Sequence, residues 1–196
     1  MATQSASQLL DTIEEQVESQ VNDSIKIFQN LSGEVLLKPA VNGGWSIAQC
    51  LWHLNSYGDY YLPKIKSGLA KNYLTNPDFK STWLGRYFTR IMKPGADMKK
   101  YKAFKDHVPP VEITPHKIVA EFIQQQELLL SYLKQARQTD LNKIRIPISI
   151  LKWVKLKLGD VFQFIVAHNE RHMQQAKKII AQDLTRLQNE DTTTLA

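Results

Sequence analysis

The sequence has a single cysteine, Cys50, which excludes an internal disulfide and suits a reducing compartment. It has no apolar run approaching the roughly 18 residues a membrane-spanning helix requires. Met1 to Leu10 is polar and lacks a basic stretch followed by an apolar one, so no secretory leader is expected. Internal repeats, low-complexity tracts and a convincing strand pair are also missing. What remains is an ordinary globular composition, 43% hydrophobic and 22% charged over 196 residues. The expectation is one cytoplasmic domain spanning 1–196, long enough to bury a sizeable core.

Acidic residues are scarce in one place. Residues 71 to 108 hold nine basic side chains against three acidic ones, a difference equal to the whole net charge of +6. The basic character therefore belongs to one segment.

Helical periodicity dominates the rest. Leu10, Ile13, Val17, Val21, Ile25, Phe28 and Leu31 recur at spacings of three and four, which predicts a helix over 7–32. After the turn signal Asn42-Gly43-Gly44, Ser46 is placed as an N-cap, Gln49 as its reciprocal partner, and Trp45 and Cys50 as a hydrophobic staple. This second helix runs to about Ser67, with Pro63 a potential stop or kink. A short helix is expected over 81–92. Thr114-Pro115 opens a third long helix to about Arg137. Residues 138–157 read as a basic connector in which Ile146-Pro147-Ile148 argues against helix. A fourth long helix covers about 158–187, with Val161, Ile165, Ala176, Ile179 and Leu184 on its stripe. Four long amphipathic helices predict an all-α four-helix bundle over about 7–187, with a basic insert, about 71–113, between the second and third.

His168 and His172, four apart on the fourth helix, sit ~40° apart in azimuth and ~6 Å apart along the axis, so both rings can reach one point. Both lie on the core-facing stripe, where each needs a polar partner or a metal. His53 lies on the core stripe of the second helix, between Gln49 and Tyr57, and adds a third inward imidazole. Three histidines leave coordination positions open, as in catalytic rather than closed structural sites. His107 and His116 have no such spacing and are left outside. The run His168-Asn169-Glu170-Arg171-His172 is not the zincin motif, because Asn169 stands where the general-base glutamate belongs. A dinuclear carboxylate bundle needs Glu-x-x-His pairs, and the residues three before the histidines are Cys50, Ile165 and Asn169.

The block from Gly44 through Trp45, Ser46 and His53 to Leu54, together with His168 to Gln175, resembles the DinB-like superfamily. That superfamily includes S-transferases using bacillithiol or mycothiol. The resemblance implies an up-down-down-up bundle with one divalent ion (Zn, Ni, Fe or Mn) on three histidines, here His53, His168 and His172. It also points to a low-molecular-weight thiol as co-substrate, with a metal-dependent hydrolase and a non-catalytic metal-binding stress-response protein as alternatives. Gln49, Tyr57 and Gln175 share the histidine faces and are the substrate-pocket candidates, weighed against capping and packing. Cys50 is a conceivable fourth ligand, though a lone cysteine suits a small apolar role better.

Aromatic residues interleave with the basic ones of the insert: Trp83, Tyr87, Phe88, Tyr101 and Phe104. Such a segment is either a solvated excursion whose aromatics pack on the bundle, or it binds single-stranded nucleic acid, an anionic membrane surface, or the pocket itself as a lid that draws in an anionic substrate. Among the functional readings the lid is favoured, because no recognised nucleic-acid module accompanies the charge. The expected partners are thus a small-molecule substrate or thiol and a second copy in a homodimer, with no nucleic acid.

Overall fold

In the computed structural model, which describes residues 3–95 and 102–194 (side chains as far as 183), four long helices carry the apolar stripes. Helix α1 spans Ala6–Lys26, with the Ser5 hydroxyl accepting from the Gln8 amide at its start. The single helix expected over 7–32 ends early. Asn30 Nδ2 turns back onto the carbonyls of Ile25 (2.9 Å) and Lys26 (3.2 Å), satisfying acceptors that a continuing helix would have used. A 3₁₀ turn at Phe28–Asn30 and a short α2, Gly33–Leu37, follow. The break buries Phe28; within α1 the buried stripe continues from Val17 through Gln20 and Ser24, so Ile25, expected inside, faces solvent.

Helix α3, Ile47–Leu69, opens on the capping box read from Ser46 and Gln49 and runs through Pro63 without stopping. Helix α4 is Trp83–Met92. Helix α5, Pro115–Ala136, starts at Thr114-Pro115, although the Thr114 hydroxyl makes no capping bond. Helix α6 spans Leu158–Thr194; the side chain of Leu184 lies outside the described residues. Helix α1 packs against α5 and α6, and α3 also packs against α5 and α6. No helix among the described residues is long and apolar enough to cross a membrane.

The all-α expectation needs correction: the described residues are mostly helical but include two antiparallel ribbons. Strand β1 (Gln4–Ser5) pairs with β2 (Asp78–Phe79). The connector at 138–157 contains a hairpin of β3 (Arg145–Ile148) and β4 (Leu151–Lys157). Ile146 and Ile148 point into the core while Arg145 faces solvent, the period-2 alternation of a half-buried strand. Pro147 is tolerated because a two-stranded ribbon consists of edges.

Between α3 and α5 the basic segment contributes β2, α4 and a 3₁₀ turn at Lys105–His107; Lys99, Lys100 and Tyr101 lie outside the described residues. Helix α4 is tethered to the first turn of α6. The buried Asp160 carboxylate accepts from the Thr82 amide (3.1 Å), the Thr82 hydroxyl (2.7 Å) and the Ser81 hydroxyl. Gly85 faces that carboxylate, and a Cβ there would overlap it.

The buried apolar residues form two clusters. One gathers Leu10, Val17, Tyr61, Leu129 and Phe162, the other Phe28, Leu51, Phe122 and Met173. All four long helices place buried polar residues at the junction: Gln20 from α1, His53 from α3, Gln126 from α5, and His168, Asn169 and His172 from α6. A polar layer thus divides the core.

Candidate metal centre

The polar layer brings the three predicted histidines together. Their candidate ligand nitrogens all lie within 4.8 Å of one another, and no Asp, Glu or Cys joins the group among the described residues. His53 Nε2 and His168 Nε2 face each other at 3.2 Å. Two imidazole nitrogens bound to one ion at about 2.0–2.1 Å in a tetrahedral array stand about 3.3–3.4 Å apart, so the spacing fits a shared divalent ion. The donor chemistry fits as well. Burial, reinforced by the neighbouring histidines, holds His168 well below the usual imidazole range and His172 down to about 3; burial holds His53 down to about 4. All three are therefore neutral at pH 7, with a lone pair to offer.

Which nitrogen offers it is set by the other ring atom. His53 Nδ1 donates to the His107 carbonyl at 2.7 Å, and His172 Nδ1 donates to Gln175 Oε1 at 3.1 Å. Both bonds assign the proton to Nδ1 and leave Nε2 free, the supporting arrangement usual for metal-binding histidines. Aromatic rings wall the cluster: Trp45 lies 4.9 Å from His53 and 5.8 Å from His172, Tyr57 lies 4.4 Å from His168, and Phe164 stacks on His168.

The three pocket candidates divide. Tyr57 touches His53 and His168 and also lines a cavity next to them. Gln175 serves His172. Gln49 commits its amide oxygen to the Ser46 amide of the capping box. Cys50 is buried in the apolar cluster, where burial pushes its thiol up to about 12, the state of a small packing residue.

His107, left outside on spacing alone, is brought to the centre by the insert. Besides its carbonyl bond, its ring stacks on Tyr57 at 3.8 Å and its Nδ1 meets the Ser56 hydroxyl at 2.8 Å. His116 stays exposed and apart. Asn169 points away from the histidines: its Nδ2 donates to Gln126 Oε1 (2.8 Å) and Gln20 Oε1 (3.3 Å), while Gln20 Nε2 donates to the Val166 carbonyl. Three helices are cross-linked there by amides that no local pattern marks.

Beside the centre, on the far side of Tyr57 and Phe164, lies a cavity of about 270 Å³ closed by α4, the β3–β4 hairpin, Lys102 and Phe104. Tyr57, Tyr61 and Ser149 supply polar groups to its lining, and the Ser149 amide donates to the Tyr61 phenol at 3.2 Å.

Residues 16–176 match the sequence model of the DinB superfamily. Among solved structures, YfiT from Bacillus subtilis, described as "a probable metal-dependent hydrolase with an unusual four-helix bundle topology", shares the fold. Its TM-score is 0.52 at 14% identity, over 90% of this chain and 86% of that chain. No curated protein matches the chain.

Proposed function

The chain belongs to the DinB superfamily, and on that premise we propose that it is a metal-dependent enzyme whose single divalent ion sits on His53, His168 and His172. The observation that carries this reading is the 3.2 Å approach of the buried Nε2 atoms of His53 and His168, the first of them left unprotonated by the bond that its Nδ1 donates to the His107 carbonyl. The relevant ions are Zn, Ni, Fe or Mn. A divalent ion bound there acidifies a thiol or water and polarises a carbonyl.

The chain's own groups favour a thiol as nucleophile. Three neutral imidazoles add no negative charge, so the centre selects an anionic co-substrate. No carboxylate shares the cluster among the described residues to serve as a general base, which suits a nucleophile that is ionised before it attacks. Tyr57 keeps its proton, because burial pushes its phenol well up, and can donate to a polar substrate atom. Trp45, Tyr57 and Phe164 keep water from the flanks. The first reading is therefore transfer of a low-molecular-weight thiol to an electrophile. Hydrolysis is the second, favoured by the description of YfiT. The up-down-down-up order and a cytoplasmic setting belong to the same reading. Packing of α1 against α5 and α6 supports that order, because a sequential bundle would set α1 beside α3.

Elemental analysis of wild type and His168→Ala tests the ligand set: one ion per chain is expected in wild type and a clear loss in the variant, and equal contents would refute it. A panel of thiols and electrophiles, run beside ester and amide substrates on metal-replete protein, then separates the reactions. Conjugation abolished by His53→Ala supports thiol transfer, whereas metal-dependent cleavage without conjugation replaces it with hydrolysis. With neither, the protein is a non-catalytic metal binder.

A further inference from the structure

The geometry points to the cavity behind Tyr57 as a binding site for an aromatic acid with a body about the size of two fused rings. Six of its thirteen described lining residues are aromatic, and Lys102 is the only charged residue among those described. A cavity of about 150 Å³ lined by apolar side chains holds a benzene. The volume here, about 270 Å³, therefore suits a bicyclic arene rather than a single ring or a bulky polycycle. Flat walls from Phe88, Phe104 and Phe164 favour an aromatic body, through offset and edge-to-face contacts.

The polar groups sit at two ends. Lys102 is exposed at the mouth, where it meets a carboxylate without the cost of burying the pair. Away from Lys102, Tyr57, Tyr61 and Ser149 are the polar residues of the lining and offer hydrogen bonds to one polar ring substituent. Tyr57 is also the wall shared with His53 and His168. A ligand lying against it is adjacent to the histidine centre without touching it. The insert builds this chamber: α4 supplies one side of it, and α4 is held in place by Asp160.

As a statement about substrate, this rests on the histidine centre being reactive; as a statement about binding, it does not. The test is calorimetric titration of 2-naphthoate and 2-naphthol into chelator-treated wild type, Met92→Trp, Phe104→Ala and Lys102→Glu. Wild type should bind 2-naphthoate with a Kd of roughly 0.1–1 mM, as its small number of heavy atoms allows. Met92→Trp fills the cavity from α4 and should weaken both ligands more than about tenfold. Phe104→Ala, on the exposed rim, should weaken both moderately without endangering the core. Lys102→Glu should weaken 2-naphthoate by up to about fivefold and leave 2-naphthol unchanged. No binding to wild type, or binding indifferent to both Met92→Trp and Phe104→Ala, overturns the proposal. So does binding that appears only with metal, which would place the carboxylate on the ion. Intact binding in a protein that elemental analysis finds free of metal removes the reactive centre and leaves the cavity standing.

Discussion

The carbonyl oxygen of His107 accepts a hydrogen bond from Nδ1 of His53 at 2.7 Å, so a residue of the insert decides which nitrogen of a bundle histidine keeps its lone pair. His107 is held for that role by its ring stacked on Tyr57 and by the Ser56 hydroxyl. Replacing His107 with Ala removes both supports and frees the carbonyl to drift. Metal affinity should fall about 10–100-fold, the usual cost of losing a group that orients a ligand. Competition with a chromogenic chelator measures it, with His116→Ala as the control. Equal affinities for the two variants would show that the contact is incidental.

The depressed histidines make the metal-free protein sensitive to acid. Unfolded, each imidazole takes up its proton near pH 6.5; folded, His172 and His53 resist until about pH 3 and 4, and His168 is also held well below its ordinary value. The unfolded state therefore binds more protons in this window, and stability falls as pH drops from 6.5 towards 4. With three protons taken up, the slope approaches about 4 kcal/mol per pH unit. Urea titrations of chelated protein across that range should show it, and His168→Gln should reduce the slope by about one third. A denaturation midpoint flat between pH 6.5 and 4 would contradict the buried, neutral state of the cluster.

Much of this centre was legible because its signals are local. Ser46 and Gln49 lie three apart and cap one helix; His168 and His172 lie four apart on another. The rest depends on contacts that no short window contains. His107 reaches His53 across 54 residues. Gln20 occupies a stripe position three after Val17, and nothing nearby reveals that it faces the Val166 carbonyl and Asn169 across the bundle. The β3 alternation is only four residues long and includes Pro147, too little to distinguish a strand from an irregular connector. Ile25 fits spacings of three and four, yet α1 buries the polar Gln20 and Ser24 in its last turns and leaves Ile25 outside, and the helix ends at Lys26, where Asn30 captures its last carbonyls.

Chelation should leave the bundle folded. The two apolar clusters close on both sides of the polar layer without the ion, unlike a zinc finger whose core is too small to stand alone. The expected result is a modest fall in Tm with helical circular dichroism retained. Complete unfolding on chelation would make the site structural.

Asp160 is the anchor of α4. Asp160→Ala would strand the Thr82 amide and the Ser81 and Thr82 hydroxyls, at a cost of about 3 kcal/mol. Gly85→Ala should act on the same contact from the other side, because the new methyl overlaps the carboxylate. Both variants should show faster proteolysis within 83–92 than elsewhere, while the four long helices persist. Uniform protection of that stretch in both would show that α4 is held by its apolar face alone.

Asn169 gives the sharpest contrast between sequence pattern and placement. Changing it to Glu recreates the zincin spacing around His168 and His172, and the pattern alone would expect hydrolytic activity to rise. The side chain, however, leaves α6 about 100° round from its neighbour His168 and points between α1 and α5. A glutamate there cannot reach a substrate at the histidine centre. Instead it buries a carboxylate between Gln20 and Gln126, whose oxygens now accept from Asn169 and would have to turn away. Asn169→Glu should therefore destabilise the protein by roughly 2–4 kcal/mol and leave ester and amide cleavage no faster than in wild type. Urea denaturation and a hydrolysis assay on the same preparation measure both. A stable variant with increased metal-dependent cleavage would mean that position 169 faces the metal centre and that the amide layer is misplaced.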